Sequence, residues 1–151
     1  MRNEEEPRNA LEYNWETFFA DAKQLAELVK SEEFQSLLVV TRGGLFLGGL
    51  LSEYLDIKIV ETIGIISYFN GGKMESTLHK TADLSLPKPL VVDDIADSGD
   101  TLQLIKGMRD LPVATLFYKP QSLVRPDYYL YETDQWVKFP WEVQSLREGV
   151  K

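Results

Sequence analysis

Three carboxylates stand close together between positions 93 and 97, and two hydroxyl-bearing residues, Ser98 and Thr101, follow them. Asp93 and Asp94 directly follow the apolar run at 90–92, and Asp97 comes one turn later. Residues 98–101 then open a segment with helical spacing, and the start of a helix offers unpaired N–H groups that suit a phosphate. Carboxylates can accept hydrogen bonds from a diol or help to hold a hydrated Mg²⁺. The segment therefore predicts a site for a sugar phosphate.

Apolar patterning predicts the elements that must hold these residues in place. Helices are expected over 15–29, 45–55 and 101–109, and strands over 34–40, 57–68, 90–92, 113–118 and 128–131. The strands are short and continuously apolar and they alternate with helices, which indicates an α/β fold with a doubly wound, mostly parallel sheet. Ligands of such sheets bind at the carboxyl ends of the strands, where the turns beginning at Thr41 and Asp93 both lie.

The remaining segments complete a single predicted domain over residues 1–151. Residues 1–12 are expected to form an acidic N-terminal extension, solvated up to about residue 10. Residues 69–86 are polar, contain Gly71 and Gly72, and show weak periodicity, so a long mobile loop is expected there. The segment from Trp136 onward is predicted to form a small packed hood at the C-terminus.

Composition excludes several classes of function. With 151 residues, of which 44% are hydrophobic, the chain can form one domain with a real core and is not wholly disordered. It has no cysteine and a single histidine, His79, which excludes thiolate chemistry and disfavours zinc clusters and a histidine-based triad. A net charge of −8 disfavours nucleic acid as a partner. Without a signal peptide or a membrane-length apolar run, a cytoplasmic setting without membrane insertion is expected.

The segment VVDDIADSGDT at 91–101 resembles the loop that binds phosphoribosyl diphosphate (PRPP) in type I phosphoribosyltransferases. Further segments resemble the same family in its order and approximate spacing. TRGG at 41–44 is similar to its diphosphate-binding turn, FYKP at 117–120 to the purine-side strand end of its 6-oxopurine branch, and DQWVKFPWE at 134–142 to its purine-stacking segment. The resemblance is strongest to the short bacterial xanthine-guanine phosphoribosyltransferases.

Each segment taken alone has an ordinary structural explanation. The acidic segment could be a strand-to-helix turn capped by Ser98 and Thr101, and the turn at Arg42 an ordinary connection. Lys119 could be a solvated surface residue, and Trp136 could belong to the core. The four segments together favour a shared functional site.

The resemblance implies a purine-salvage enzyme that joins guanine, xanthine or hypoxanthine to PRPP and yields a nucleoside 5′-monophosphate and diphosphate. Mg²⁺ is the implied cofactor, bridging diphosphate and ribose hydroxyls beside Asp94, with Glu142 near a second metal. A homodimer or homotetramer is implied as well, and Phe46 and Leu47 offer candidate apolar surface for it.

The resemblance also implies a role for each site residue. Asp97 would be the acid/base group that accepts the N7 proton of the purine. Lys119 would donate to the purine O6, Trp136 would stack on the base, and the Val137 backbone would contact its polar edge. PRPP and its diphosphate would be bound by Arg42, Gly43, Gly44, Lys73, Asp93 and Asp94, and its 5′-phosphate by Ala96, Asp97, Ser98, Gly99, Asp100 and Thr101.

The sequence departs from the family pattern at two positions of the phosphate loop. Ala96 replaces a larger aliphatic residue, and Asp100 places a carboxylate where it would repel the 5′-phosphate unless it points outward. The family also implies a cis peptide bond between Thr41 and Arg42. Two other functions stay open, namely a non-catalytic regulator with the same fold that senses PRPP or a nucleotide, and a related transferase for another base.

Overall fold

Helices and strands alternate along the chain. The computed structural model describes residues 9–80 and 85–143, and for 67–70 and 73–80 it describes the backbone alone. The helices are α1 (Trp15–Val29), α2 (Leu45–Leu55) and α3 (Asp100–Met108), with a short 3-10 helix at Lys30–Glu32. The strands are β1 (Ala10–Glu12), β2 (Ser36–Thr41), β3 (Ile59–Asn70), β4 (Lys73–Lys80), β5 (Pro89–Val92), β6 (Ile95–Ala96), β7 (Val113–Tyr118), β8 (Tyr128–Glu132) and β9 (Trp136–Lys138). No helix within the described ranges is long and apolar enough to span a membrane.

Seven of these strands form one sheet in the order β4-β3-β2-β5-β7-β6, with β8 paired to β7. Every pairing in it is parallel except that of β3 with β4. Strand β2 lies between β3 and β5 and is buried from Ser36 to Val40, as its continuous apolar run predicts. The expected doubly wound, mostly parallel α/β sheet is confirmed.

The helices pack on both faces of the sheet, and the side chains of β2 alternate between them. Leu37 and Val39 belong to the hydrophobic cluster that α1 and α2 form on one face. Leu38 and Val40 belong to the second cluster, which includes Leu102 of α3. Because both faces are covered, the strand is apolar at successive positions, and its carboxyl end is left as the exposed edge where a site can form.

The predicted irregular loop over 69–86 is wrong for most of that range. Strand β3 continues to Asn70, and β4 returns antiparallel to it from Lys73, which faces Asn70 across the turn. Gly71 and Gly72 both have positive φ, at 57° and 84°, which is the backbone that a two-residue hairpin turn requires and that glycine adopts without strain. Residues 81–84 lie outside the described residues, and mobility of this segment stays a prediction.

The N-terminal extension is shorter than predicted. Residues 10–12 form β1, which pairs in parallel with β9 at the other end of the described chain, with Leu11 opposite Val137. The predicted boundary at residue 12 is therefore wrong, because a three-residue strand carries too little pattern to be recognised without its distant partner. Residues 1–8 lie outside the described residues. The hood is thus a two-stranded sheet, β1 with β9, followed by residues 139–143.

A buried carboxylate ties this hood to the body of the fold. Asp21 of α1 is 4% exposed and accepts hydrogen bonds from the hydroxyls of Tyr13 (2.5 Å) and Tyr131 (2.8 Å). Burial raises the pKa of Tyr13, and the hydrogen bond to Asp21 adds to that rise, so its hydroxyl stays protonated and remains a donor. The Tyr13 ring also packs edge-on against Phe117 and Phe139.

Helix α2 lies very close to β2. Leu47 is completely buried, so the expectation that it belongs to the apolar surface is wrong, whereas Phe46 is 48% exposed as expected. A Cβ atom added at Gly48 would lie 2.5 Å from Cγ2 of Val39, which leaves no room for a side chain. The next residue, Gly49, would meet no atom within 4 Å.

The two glycines therefore make a matched pair within one helix. We expect Gly48→Ala to lower the free energy of unfolding by about 1–3 kcal/mol, because the added methyl group forces α2 away from β2. Gly49→Ala should raise it by up to about 1 kcal/mol, because alanine favours the helix and the site is open. Urea unfolding followed by circular dichroism measures both. Equal effects of the two substitutions would contradict the close packing.

Candidate active site

The turn after β2 meets the acidic residues after β5 because the two strands are parallel neighbours in register, with Val39 opposite Val92. A Cβ atom at Gly43 would lie 2.5 Å from Oδ2 of Asp94. A Cβ atom at Gly44 would lie 2.7 Å from the carbonyl oxygen of Val92. A side chain at Gly43 would therefore displace the Asp94 carboxyl, and one at Gly44 would collide with the backbone of both strands.

The turn itself confirms one prediction and corrects another. The peptide bond between Thr41 and Arg42 is cis, as the family resemblance implies. Arg42 is exposed at this turn. The N–H group of Gly44 donates to the carbonyl of Val40 at 2.9 Å, so this amide is not available for the diphosphate contact that the resemblance implies at Gly44.

Asp93 and Asp94 are adjacent carboxylates, of which Asp94 is buried and Asp93 is partly buried. Oδ1 of Asp93 accepts the N–H of Asp94 at 2.8 Å, and Oδ1 of Asp94 accepts the N–H of Ile95 at 2.7 Å. Burial raises the pKa of Asp93, and the neighbouring charge of Asp94 raises it further. Burial also raises the pKa of Asp94, against hydrogen bonds that favour its ionised form. The pair is therefore disposed to take up a proton or a cation.

The phosphate loop follows these acids and leads into α3. It lines a cavity of about 100 Å³ whose walls are residues 95–102 with Asp93. Gly99 has a φ of 83°, and a Cβ atom there would lie 2.5 Å from Oγ of Ser122. The Ser98 carbonyl accepts the N–H of Leu123 at 2.8 Å, which holds the loop against the segment after β7. Asp100 is exposed at the first position of α3.

Lys119 lies next to Asp97, because β6 pairs with β7 and the N–H of Lys119 donates to the Ala96 carbonyl at 2.9 Å. Its ammonium Nζ is 3.4 Å from Oδ1 of Asp97 and 5.8 Å from the ring centroid of Trp136. Lys119 is only 7% exposed, so it is not an ordinary surface lysine, and Trp136 is 45% exposed, so it is not a core residue. The ordinary explanations for these two residues are thereby excluded.

The other predicted site residues are placed less tightly. Val137 is buried on β9 beside Trp136, and Thr101 lies in the first turn of α3. The N–H of Glu142 donates to the Phe139 carbonyl at 3.1 Å, and its side chain is exposed. The Lys73 side chain lies outside the described residues. Within the described ranges, no three His, Cys, Asp or Glu side chains gather into a metal-binding group.

Trp141 lies near the candidate site, although no role was predicted for it from the sequence. It belongs to the segment that resembles the purine-stacking part of the family, but only Trp136 received a function there. The Trp141 ring stacks on Phe139 and Phe46, and its buried N–H has no complete hydrogen bond. Burial raises the pKa of Asp94, and the interaction with Trp141 opposes that rise. The close run of Phe139, Pro140 and Trp141 was the only signal in the sequence, and it indicates packing rather than a polar contact.

Comparison with known proteins agrees with this geometry. Residues 13–148 match the family described as phosphoribosyl transferase domain. The chain is 31% identical over 135 residues to the xanthine-guanine phosphoribosyltransferase of Chromohalobacter salexigens, covering 86% of this chain and 82% of that relative. It is also similar to two solved structures. One is the purine phosphoribosyltransferase from Pyrococcus horikoshii, with a TM-score of 0.81 and 27% identity, covering 89% of this chain and 94% of the other.

The second is the Helicobacter pylori xanthine-guanine-hypoxanthine phosphoribosyltransferase, with a TM-score of 0.78 and 29% identity, covering 94% of this chain and 99% of the other. The family match extends over more than half of the chain and includes the turn at Arg42, the acids at Asp93 and Asp94 and the phosphate loop. This chain belongs to the phosphoribosyl transferase family.

Proposed function

We propose that this protein transfers the phosphoribosyl group of PRPP to N9 of a 6-oxopurine and releases diphosphate. The observation that carries the proposal is the ion pair of Lys119 with Asp97 at 3.4 Å, beside the exposed ring of Trp136. The pair offers a hydrogen-bond donor and an acceptor side by side. A 6-oxopurine presents the complementary pair, an acceptor at O6 and a donor at N7–H. The names of the xanthine-guanine relatives support the same substrate class.

The purine subsite follows from these three side chains. Lys119 donates to O6, which disfavours adenine because its 6-amino group is itself a donor. Asp97 accepts the N7 proton as N9 forms the new bond to the ribose, and this proton transfer keeps positive charge from building up on the base. Trp136 stacks on the purine, and the backbone at Val137 reads its position 2 edge.

The PRPP subsite lies along the neighbouring strand ends. Arg42 and the Gly43 amide bind the diphosphate and stabilise its charge as it departs. The ribose hydroxyls donate to Asp93 and Asp94. The 5′-phosphate enters the cavity of the phosphate loop, where Ser98, Thr101 and the amides that open α3 are its donors. Ala96 and Gly99 shape this loop, because neither presents a large side chain to the phosphate.

The Asp93–Asp94 pair fits Mg²⁺. Two adjacent carboxylates, one buried and one partly buried, concentrate negative charge, and burial has already raised the pKa of each, so a hard divalent cation with oxygen ligands suits them. Asp94 would hold the ion through ribose hydroxyls or water, and Glu142 would stand near a second one. Mg²⁺ would supply charge neutralisation for the departing diphosphate.

Two further parts of the proposal concern the surroundings of the site. The β3–β4 hairpin closes over bound PRPP; the side chain of Lys73, which the resemblance assigns to the diphosphate, lies outside the described residues. The protein assembles as a homodimer or homotetramer, for which the exposed aromatic residues Trp15, Phe19 and Phe46 offer apolar surface. Size-exclusion chromatography with light scattering tests the assembly, and a monomer at micromolar concentration would contradict it.

An ultraviolet assay of each purine base with PRPP and Mg²⁺ tests the main proposal. We expect turnover of at least one of guanine, xanthine and hypoxanthine, and none of adenine. Asp97→Asn should lower kcat by about 10²–10⁴-fold, because the amide cannot take the N7 proton. Asp56→Asn is the matched control, since Asp56 is an exposed residue at the end of α2, and it should retain full activity.

The outcomes of this assay separate the alternatives. Turnover of a pyrimidine or of adenine would assign the fold to another base. If PRPP binds in calorimetry but no base is turned over, the non-catalytic regulator becomes the better explanation. If Asp97→Asn is as active as Asp56→Asn, the acid/base role of Asp97 is wrong.

Replacing the Asp100 carboxylate should strengthen PRPP binding but weaken the stability of the protein. Its carboxylate lies at the start of α3, where it stabilises the helix end but repels the 5′-phosphate. Asp100→Asn should lower the KM for PRPP by about two- to fivefold, and the gain should shrink with added salt. The same substitution should lower the free energy of unfolding by up to about 1 kcal/mol.

The control for this prediction is Asp110→Asn. Asp110 is exposed beyond the other end of α3, where it pairs with Lys106 at 3.2 Å and is remote from the phosphate loop. It should leave the KM for PRPP unchanged. An unchanged or higher KM in Asp100→Asn would mean that its carboxylate points away from the phosphate.

A further inference from the structure

Trp141 is held in a fixed orientation by the aromatic residues around it. Its ring stacks on Phe139 with centroids 4.8 Å apart and on Phe46 with centroids 5.5 Å apart. Phe18 meets it edge-on at 4.9 Å, and Trp15 lies at 5.9 Å. Because these residues come from α1, α2 and the hood, the indole cannot rotate without disturbing all three.

The indole N–H of Trp141 is buried in this cluster and makes no complete hydrogen bond. Among the buried side-chain nitrogen and oxygen atoms of the described residues, it is the one without a partner. A buried donor left unpaired is unfavourable, so native structures seldom keep one without a functional or structural reason. One such reason would be an acceptor that reaches this N–H only when substrate is bound.

Asp94 is the acidic side chain with which this indole interacts. Burial raises the pKa of the Asp94 carboxyl and the interaction with Trp141 opposes that rise, although the indole N–H does not complete a hydrogen bond. The same carboxyl packs against Gly43 and accepts the N–H of Ile95 at 2.7 Å. It is therefore contacted from the diphosphate turn, from its own loop and from the hood.

We propose that Trp141 is a positioning residue, whose indole N–H donates to the Asp94 carboxylate when PRPP is bound and orients that carboxylate toward the ribose hydroxyls. This inference rests on the proposed function, because it assigns Asp94 to the ribose of PRPP. The hood would thereby take part in PRPP binding as well as in purine binding.

Trp141→Phe tests this role, because phenylalanine keeps much of the stacked ring and removes only the N–H donor and the second ring. We expect the KM for PRPP to rise about tenfold, the loss typical of one hydrogen bond to a charged group, while the KM for the purine changes little. Trp15→Phe is the matched control, because Trp15 belongs to the same aromatic cluster but is not directed at Asp94. It should leave both KM values unchanged.

An independent measurement uses the wild-type protein. The chain has three tryptophans, so a ¹⁵N-labelled sample gives three indole cross-peaks, which single Trp→Phe variants assign. With PRPP and Mg²⁺ but no base, the Trp141 indole proton should move downfield as its hydrogen bond to Asp94 completes, whereas the Trp15 proton should not move.

The outcomes distinguish this inference from the proposed function. If wild-type protein binds PRPP and turns over a purine but Trp141→Phe matches Trp15→Phe, the inference is wrong and the function stands. Equal increases in the KM for both substrates, or an unmoved Trp141 proton in the PRPP complex, would likewise overturn it by showing a packing role only. Failure of the wild-type protein to bind PRPP would overturn both.

Discussion

The contact between Gly43 and the Asp94 carboxyl is the constraint on which the rest of the site depends. It exists because β2 and β5 are adjacent parallel strands in register, so their carboxyl ends deliver the diphosphate turn and the acid pair to one point. A parallel pair needs a long crossover, and here α2, the β3–β4 hairpin and the residues after it supply one. Residues from two separate chain segments, the turn at 41–44 and the acids at 93–94, are thereby brought together at one edge of the sheet. Gly43 and Gly44 keep this approach possible, because a methyl group at Gly43 would displace the Asp94 carboxyl and one at Gly44 would force the strand ends apart.

The charges around this point explain how an acidic chain can bind a polyanion. The chain has a net charge of −8, yet the groups that line the strand ends are arranged in alternating sign. Arg42 and the opening of α3 offer positive potential on either side of the carboxylates, and Lys119 is paired with Asp97. Burial and the neighbouring charge of Asp94 raise the pKa of Asp93, so its ionised form is less favoured than that of a free aspartate. Net charge therefore argues against a long polyphosphate partner but says little about a single sugar phosphate, whose contacts are local.

Local pattern predicted most of the fold and of the site. The bounds of α1 and α2 follow from helical spacing, and the buried strands follow from unbroken apolar runs, because both faces of a parallel sheet are covered. The acids and the phosphate loop were recognisable because they are contiguous. The strands that the sequence did not predict lack a recognisable local pattern. Strand β6 is only two residues long, and the partner of β1 lies more than a hundred residues away. Strand β4 is polar because it forms the edge of the sheet. The occupied amide of Gly44 depends on a backbone contact that residue types do not reveal.

The hood is the part of the site that is hardest to predict from local sequence, because it is built from segments at the two ends of the described chain. The hood pairs β1 with β9. Asp21 of α1 holds it in place by accepting hydrogen bonds from the hydroxyls of Tyr13 and Tyr131, two residues that are far apart in the chain. Trp136 and Trp141 both belong to this small unit, the first beside Lys119 and the second packed between Phe139 and Phe46. Because Asp21 holds the unit at its base and its aromatic residues stack on α1 and α2, a shift of one tryptophan would disturb the other. In the proposed function, residues that contact neither substrate, such as Asp21, therefore help to set the geometry of both the purine and the ribose subsites.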